Sequence, residues 1–399
     1  MVVANNRGCP VCGVFDFNEI IFVAQAPKFH VISAETELSS QLFGEVRLVE
    51  CLFCKHLFNN AIQDNEKNPG HGSFSTNAPV SQSMFDRRKK IMEFLSADGD
   101  LSLNVLEVGA GSGALAAIFA ESKNRVTVVE PESTLDTDRL EKQGVRVIRD
   151  VWPTSKLISE KFDLILCVQV LEHTERPREF LLELANHVED DGRIYLEVPS
   201  GDWVKMHGSI ADVSFPHWNY FTESMIQKLA TECNLEISEK CELIDGHDVG
   251  YVLQNKSFKS EYSFHVQNRP FGMDKLKKSL EVANSQIIMW NHNLNYAFYG
   301  TTTQSQASFG VLKGCKPKFI FDDTPSYRGS FAYSSQFRFP IIEPSLDRLK
   351  EVDVVVISVY IHDESIATKI RELGFSGEIF SLRPPSDPSG KVKSLFGEN

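Results

Sequence analysis

The chain has 399 residues, 42% hydrophobic and 24% charged, a globular composition too long for one ordinary core and suited to two or three domains. Its formal net charge of −13 speaks against sequence-independent nucleic-acid binding, which relies on positive patches that displace counterions from phosphates. No stretch approaches the roughly 20 apolar residues of a membrane span, and MVVANNRGCP lacks the basic start and apolar centre of a signal peptide, so a cytoplasmic chain with no nucleic-acid or membrane partner is expected.

The first chemistry-bearing text is RGCPVCGVF at 7–15, answered by ECLFCKHLF at 50–58. Cys9, Cys12, Cys51 and Cys54 form C-x2-C…C-x2-C, a spacing that lets two tight turns each present two thiolates to one tetrahedral Zn2+. Pro10 and Gly13 suit the first turn, because proline fixes φ and glycine permits a left-handed bend. Strand-like EIIFVAQ and VRLVE lie between the pairs, so a small zinc ribbon is expected over 1–60. In a reducing compartment such paired thiols are metal ligands or redox centres more often than disulfides. Cys167, Cys233, Cys241 and Cys315 stand singly and read as small buried hydrophobes.

Residues 59–84, rich in Asn, Ser, Gly and Pro, read as a loop or lid. FDRRKKIMEFL then predicts a helix, and from residue 103 strands alternate with helical stretches, the pattern of a mostly parallel sheet covered on both faces. The strands expected are 103–108, 125–130, 145–149, 162–168 and 192–198, with 235–243 and 248–255 closing a unit over 61–257.

LEVGAGSGALA at 106–116 reads as a strand, a glycine-rich turn and a helix start. Gly109, Gly111 and Gly113 admit a ligand close to the backbone, and free amides at a helix N-terminus attract a negative group. With Ala114 as the third small residue the text also satisfies G-x-G-x-x-G/A, so NAD and S-adenosylmethionine (SAM) are both to be weighed. Glu107, just before the first glycine, favours SAM, whose methionine end carries an ammonium and whose sulfonium is positive. Glu130, ending RVTVVE, is placed for the ribose hydroxyls of either cofactor.

Segment 258–295 predicts a mostly helical connector, bounded at 258–293, with an apolar stripe of Leu276, Leu280, Val282, Ile287 and Ile288. A last α/β domain follows over 294–399. In it Asp322, Asp323, Tyr327 and Arg328 form a polar turn after a strand, either facing a cleft or simply solvated.

The succession LEVGAGSG, VVEPE and FDLILCVQVLEHTERP resembles that of class I SAM-dependent methyltransferases. Carried over position by position, Glu107 and the three glycines would face the methionine portion of SAM, Glu130 the ribose, and Asp150 or Val151 the adenine. Gln169 and the pair Glu172–His173 would line the floor, His173 being either a loop-fixing or a catalytic residue. With a four-cysteine module before this core and FIFDDTP in the domain after it, nearly the whole chain is similar to three-domain C-methyltransferases of nucleotide-linked deoxy-keto-sugars. The fold implied is α/β: a class I methyltransferase Rossmann-like core, a small N-terminal zinc ribbon and a C-terminal Rossmann-like domain. A monomer or homodimer acting on a small molecule is expected.

Carbon methylation beside a ketone needs removal of a C–H proton and an enolate held in line with the methyl donor. His217 in SFPHWNYFT is the candidate base, since imidazole takes a proton near working pH without extensive tuning. The resemblance puts the family's H-x-x-Y-F pattern on His217, Tyr220 and Phe221. The chain departs from the family's usual Tyr-His-Glu-His run: Ser214, Phe215 and Pro216 precede His217, so an orienting carboxylate and a phenol that would donate to the enolate oxygen are missing. YGTTTQSQ likewise replaces a lysine-bearing loop in the last domain. O- or N-methylation of a related sugar or small metabolite, and a non-catalytic relative that binds cofactor or sugar nucleotide, stay open.

Overall fold

Seven segments in the middle of the chain read as strands, and in the computed structural model all seven form strands. The structure describes residues 7–27, 32–33, 43–61, 82–95, 102–131, 135–209, 211–213, 215, 217–256, 273–334, 336–384 and 391–397. Most of the expected loop 59–84, together with Ser214, Pro216 and the start of the connector, lies outside them.

In chain order the strands are β1 (Phe17–Pro27), β2 (Ile32–Ser33), β3 (Phe43–Cys51), β4 (Leu57–Asn59), β5 (Asn104–Val108) and β6 (Arg125–Val129). Next come β7 (Arg146–Ile148), β8 (Phe162–Val168), β9 (Val188–Pro199), β10 (Asn219–Tyr220), β11 (Leu235–Leu243) and β12 (Asp248–Asn255). The last six are β13 (Tyr296–Tyr299), β14 (Ile320–Phe321), β15 (Phe331–Tyr333), β16 (Arg338–Ile342), β17 (Val354–Ile357) and β18 (Glu378–Ser381).

The central sheet has the order β11-β12-β9-β8-β5-β6-β7. β9, β8, β5, β6 and β7 run parallel, while β12 is reversed against both β9 and β11. Parallel strands covered on both faces need continuous apolar text, and β8 supplies it: Leu164, Ile165, Leu166 and Cys167 are all fully buried. In open sheets of this kind the crevice lies at the carboxyl ends of the parallel strands, where strand order reverses. That position gathers the ends of β5, β6, β8 and β9 on one rim.

Two exchanges cross the boundaries expected at 60 and 293. β10 leaves the central domain and pairs with β4, so the first sheet reads β1-β3-β4-β10. β2 leaves the N-terminal module and pairs with β15, at one edge of the third sheet, β18-β17-β13-β14-β16-β15-β2. One apolar cluster accordingly runs from Ile21 and Leu48 through Trp203 to Phe298 and Val356.

The connector helix is described over Met273–Asn293, the expected residues 258–272 lying outside the described ones, and its buried stripe differs from the one expected. Leu276, Ala283, Ile287 and Trp290 are buried and Leu280 packs beside them, but Val282 and Ile288 are 37% and 49% exposed. The spacing 276, 280, 283, 287, 290 follows one face of a 3.6-residue helix, whereas 282 and 288 fall about 100° off it. No described helix is long and apolar enough to cross a membrane.

Candidate functional site

β5 delivers Glu107 and the glycine turn, and the helix Ala114–Glu121 carries the chain away from it. Gly109 and Gly113 have φ of 74° and 70°, which L side chains rarely adopt. A Cβ on Gly109 would lie 2.4 Å from the Val170 side chain, and one on Gly113 2.5 Å from that of Leu140. A side chain at either position is therefore strained and would have to displace Val170 or Leu140.

Two acids frame it. Glu130, buried beyond the end of β6, accepts a hydrogen bond from the Gly111 N–H at 2.7 Å. Glu107 is also buried, and its Oε2 has no hydrogen-bond partner among the described residues. Burial pushes its pKa up to about 8, Arg88 opposing and Glu130 adding to the rise. Gln169, just past β8, holds a left-handed φ of 57°, anchored by its N–H to the Glu197 carbonyl at 2.9 Å and its side-chain amide to the Glu197 carboxylate at 3.2 Å. Val151 is 64% exposed and Asp150 is turned back on its own loop, bonded to the Val151 N–H at 2.9 Å and the Thr154 hydroxyl at 2.8 Å.

Beyond Gln169, Glu172, His173 and His217 bring one oxygen and two ring nitrogens within 4.8 Å of one another. The His173 and His217 rings meet edge to face at 5.0 Å, and Tyr220 lies 5.9 Å from His217. Glu172 is buried, and its Oε2 has no hydrogen-bond partner among the described residues. Burial, with the charges of Asp248 and Glu197, holds it well above the usual carboxylate range. His217 keeps a partly exposed ring, yet the protein around it pushes its pKa down to about 4: desolvation and His247 lower it, Asp212 and Asp248 oppose.

Sequence reasoning missed the polar network behind these residues. Arg87, on the helix Gln82–Leu95, contacts Glu197 and donates to Asp248 at 2.7 Å. Tyr195 donates to Glu197 at 2.8 Å. His247 is clamped between Asp248 at 2.8 Å and Asp212 at 3.2 Å, and these carboxylates overcome burial to push it up to about 10. Asp212 also accepts from Ser209 and, at 3.2 Å to each oxygen, from the hydroxyl of Tyr360, which belongs to the third sheet's domain. The available signal was faint: GHDVGY opens a strand with two titratable residues where apolar text is the rule.

The four early cysteines converge. The sulfurs of Cys9 and Cys54 lie 3.5 Å apart, as do those of Cys12 and Cys51, and all four fall within 4.8 Å of one another. Tetrahedral Zn–S bonds of about 2.3 Å put sulfurs roughly 3.8 Å apart, so the donor set fits Zn2+. Cys167, Cys233 and Cys315 are buried, while Cys241 is only partly so.

The polar turn of the last domain is spent on structure. Asp322 accepts from the Thr301 and Thr324 N–H groups, Asp323 pairs with Lys369 and Tyr299, and Arg328 pairs with Glu343.

Residues 82–240 match the family described as a methyltransferase domain. Several curated relatives are named ubiquinone biosynthesis O-methyltransferase. That of Rickettsia conorii is 30% identical over 105 residues, covering 25% of this chain and 36% of its own. The Rickettsia typhi protein is 25% identical over 151 residues, 34% and 61% of the two chains. The Schizosaccharomyces pombe mitochondrial protein is 33% identical over 115 residues, 28% and 38%. The match thus spans between 36% and 61% of these relatives. Among solved structures, magnesium protoporphyrin IX methyltransferase from Synechocystis PCC 6803 with bound SAH is 16% identical, covering 44% of this chain and 88% of its own at a TM-score of 0.36. The N-methyltransferase NodS of Bradyrhizobium japonicum in complex with SAH is 18% identical, with 44% and 89% covered at a TM-score of 0.36.

Proposed function

We propose that the chain, whose residues 82–240 form a methyltransferase domain of class I Rossmann-like fold, is a SAM-dependent methyltransferase acting on a small molecule. The observation that carries this reading is the pair of acids around the glycine turn, one bonded to the Gly111 N–H and one buried with an orphaned oxygen. A cationic ligand suits that oxygen. When bound, SAM supplies the methyl group. Glu107 with Gly109, Gly111 and Gly113 would hold its methionine end, Glu130 the ribose diol, Gln169 the floor and Val151 the adenine face. Asp150, already engaged within its own loop, would meet the adenine only at its edge.

Glu107 gives this reading a pH signature. Its carboxyl, pushed up to about 8 by burial, is mostly protonated at pH 7, and an arriving cation lowers that pKa. SAM binding is therefore expected to release a proton at pH 7 and to tighten as pH rises toward 8. Titration calorimetry in buffers of different ionisation heat measures both, and Glu107→Gln should abolish both. Clear binding of NAD with none of SAM would overturn the reading.

The finer reading is C-methylation of a nucleotide-linked keto-deoxysugar. It is supported by the fit of Cys9, Cys12, Cys51 and Cys54 to a structural Zn2+. The meeting of His217 with His173 and Tyr220 supports it as well. His217 would take the proton from the carbon beside the carbonyl, the electron pair moving onto the carbonyl oxygen as an enolate. That carbon would then accept the methyl group, and the imidazolium proton would pass to solvent. His173 and Tyr220 would hold the enolate oxygen. The relatives named O-methyltransferases favour a second reading, in which His217 takes a hydroxyl proton instead. Incubation with labelled SAM and a thymidine-diphosphate-linked 4-keto-6-deoxyhexose, followed by NMR of the product, separates them: a new methyl on carbon supports the first, a methyl on oxygen the second.

A further inference from the structure

We propose that Arg87 is a positioning residue of the methyl-donor site: through the Glu197 carboxylate it fixes Gln169, and with it Val170, against the glycine turn. The proposal rests on the reading of that turn as the SAM site.

Gln169 carries a backbone that has to be held. Its φ of 57° lies in the left-handed region, which residues other than glycine seldom adopt and keep only where their surroundings hold them. Val170 follows directly, and its side chain fills the space beside Gly109, where a Cβ would meet it at 2.4 Å. Any shift of Gln169 is therefore a shift in the wall of the turn. The holder is Glu197, which stands level with Val168 in the pairing of β8 and β9. Its carbonyl accepts from the Gln169 N–H at 2.9 Å and its carboxylate from the Gln169 side-chain amide at 3.2 Å.

Glu197 needs a holder of its own. It is fully buried, and a carboxylate out of water keeps its charge only with a cation and hydrogen bonds around it. Tyr195 donates to Oε2 at 2.8 Å, whereas Arg87 contacts Oε1, the same oxygen that accepts from Gln169. The arginine nitrogen that meets Glu197 also donates to Asp248 at 2.7 Å, so one cation sits between two buried carboxylates. The sheet makes room for this arrangement: Gly250 of β12 lies opposite Glu197, and a Cβ there would come 2.3 Å from the Tyr195 hydroxyl. Arg87 itself stands on firm ground. Ile91 and Leu95 of its helix are buried in one cluster with Leu115, Ala116 and Phe119 of the helix that leaves the glycine turn.

Titration calorimetry with SAM on the full-length chain tests this through Arg87→Met, Arg87→Lys, Gln169→Ala and the double variant Arg87→Met with Gln169→Ala. Arg87→Met should weaken SAM binding by about tenfold, the worth of a hydrogen bond to a charged group. Gln169→Ala should cost a similar factor, and the double variant should be little weaker than either single one, because both cut the same chain of contacts. Arg87→Lys, whose ammonium can replace the shared nitrogen between Glu197 and Asp248, should recover most of the loss. An arginine that merely stabilises the fold would give losses that multiply in the double variant; that result, or parental affinity in Arg87→Met, overturns the proposal. Should Arg87→Met not fold by near-ultraviolet circular dichroism, Arg87→Gln with Asp248→Asn removes one buried charge of each sign and takes its place in the cycle. If the parent binds no SAM, the donor reading falls by itself, and hydrogen exchange at the Gln169 and Val170 amides decides the positioning. Faster exchange in Arg87→Met than in Arg87→Lys supports it, and equal exchange overturns it.

Discussion

Replacing His217 with asparagine should lower kcat by about 100- to 10,000-fold, the range that positioned proton transfer contributes, while the dissociation constant for SAM stays unchanged. The two effects separate because Glu107, the glycine turn and Glu130 lie at the ends of β5 and β6, whereas His217 lies in the loop before β10. Desolvation pushes the pKa of this partly exposed ring down to about 4, which leaves it neutral and free to accept a proton through the physiological range. The acid limb of the rate profile is therefore expected below that of an ordinary histidine, near pH 4. Exchange of the proton beside the carbonyl with deuterium from solvent, followed on the keto-sugar in the presence of S-adenosylhomocysteine, should be lost in the variant. Full turnover by His217→Asn would refute the role.

Legibility in the sequence followed the range of the interactions. β8, β11 and β12 agree with expectation to the residue because each is a long run whose burial is decided locally by two covered faces or a hairpin. The glycine turn was equally plain, since positive φ leaves few choices of residue. The place of Glu130 just past a strand end was legible, although its bond to the Gly111 N–H was not foreseen. By contrast, Arg87 sits in a helix that reads only as amphipathic, and Asp212, His247 and Tyr360 occupy unremarkable text. They meet because β12 runs backwards beside β9 and because the third domain docks Tyr360 against Trp203. Neither event leaves a period in the sequence. The exchange of β2 into the last sheet was hidden for the same reason: two residues make too short a strand to announce a partner nearly 300 positions away. Val282 and Ile288 show the converse error, apolar residues assigned to a buried face without testing their angle on the helix.

Loss of the metal from the four-cysteine site is expected to reach the proposed base as well as the module that holds it. Closed tetrathiolate zinc offers no open position for substrate, so Cys9, Cys12, Cys51 and Cys54 would act through structure alone, with a binding free energy on the order of 10 kcal/mol that is also folding free energy. That structure extends to the His217 loop by several routes. β4, three residues after Cys54, pairs with β10 through Leu57↔Tyr220 and Phe58↔Asn219. The Trp218 carbonyl accepts from the Asn59 N–H at 2.9 Å and from Arg7 at 3.1 Å, and the Arg7 guanidinium sits 4.4 Å from the Trp218 ring centre. His56 bonds Asn219 at 3.1 Å. From the other side the Trp218 N–H donates to the Glu172 carbonyl at 2.9 Å. The loop is thus gripped between the metal module and the end of β8, and releasing one jaw frees His217 while leaving the glycine turn in its own sheet. Purified protein should carry about one zinc per chain by elemental analysis. Cys51→Ser with Cys54→Ser should remove it and lower kcat by at least tenfold, with SAM affinity within about twofold of the parent. Zinc-free protein that kept both its fold and its full rate would mean that the cysteines neither bind the metal nor brace the loop.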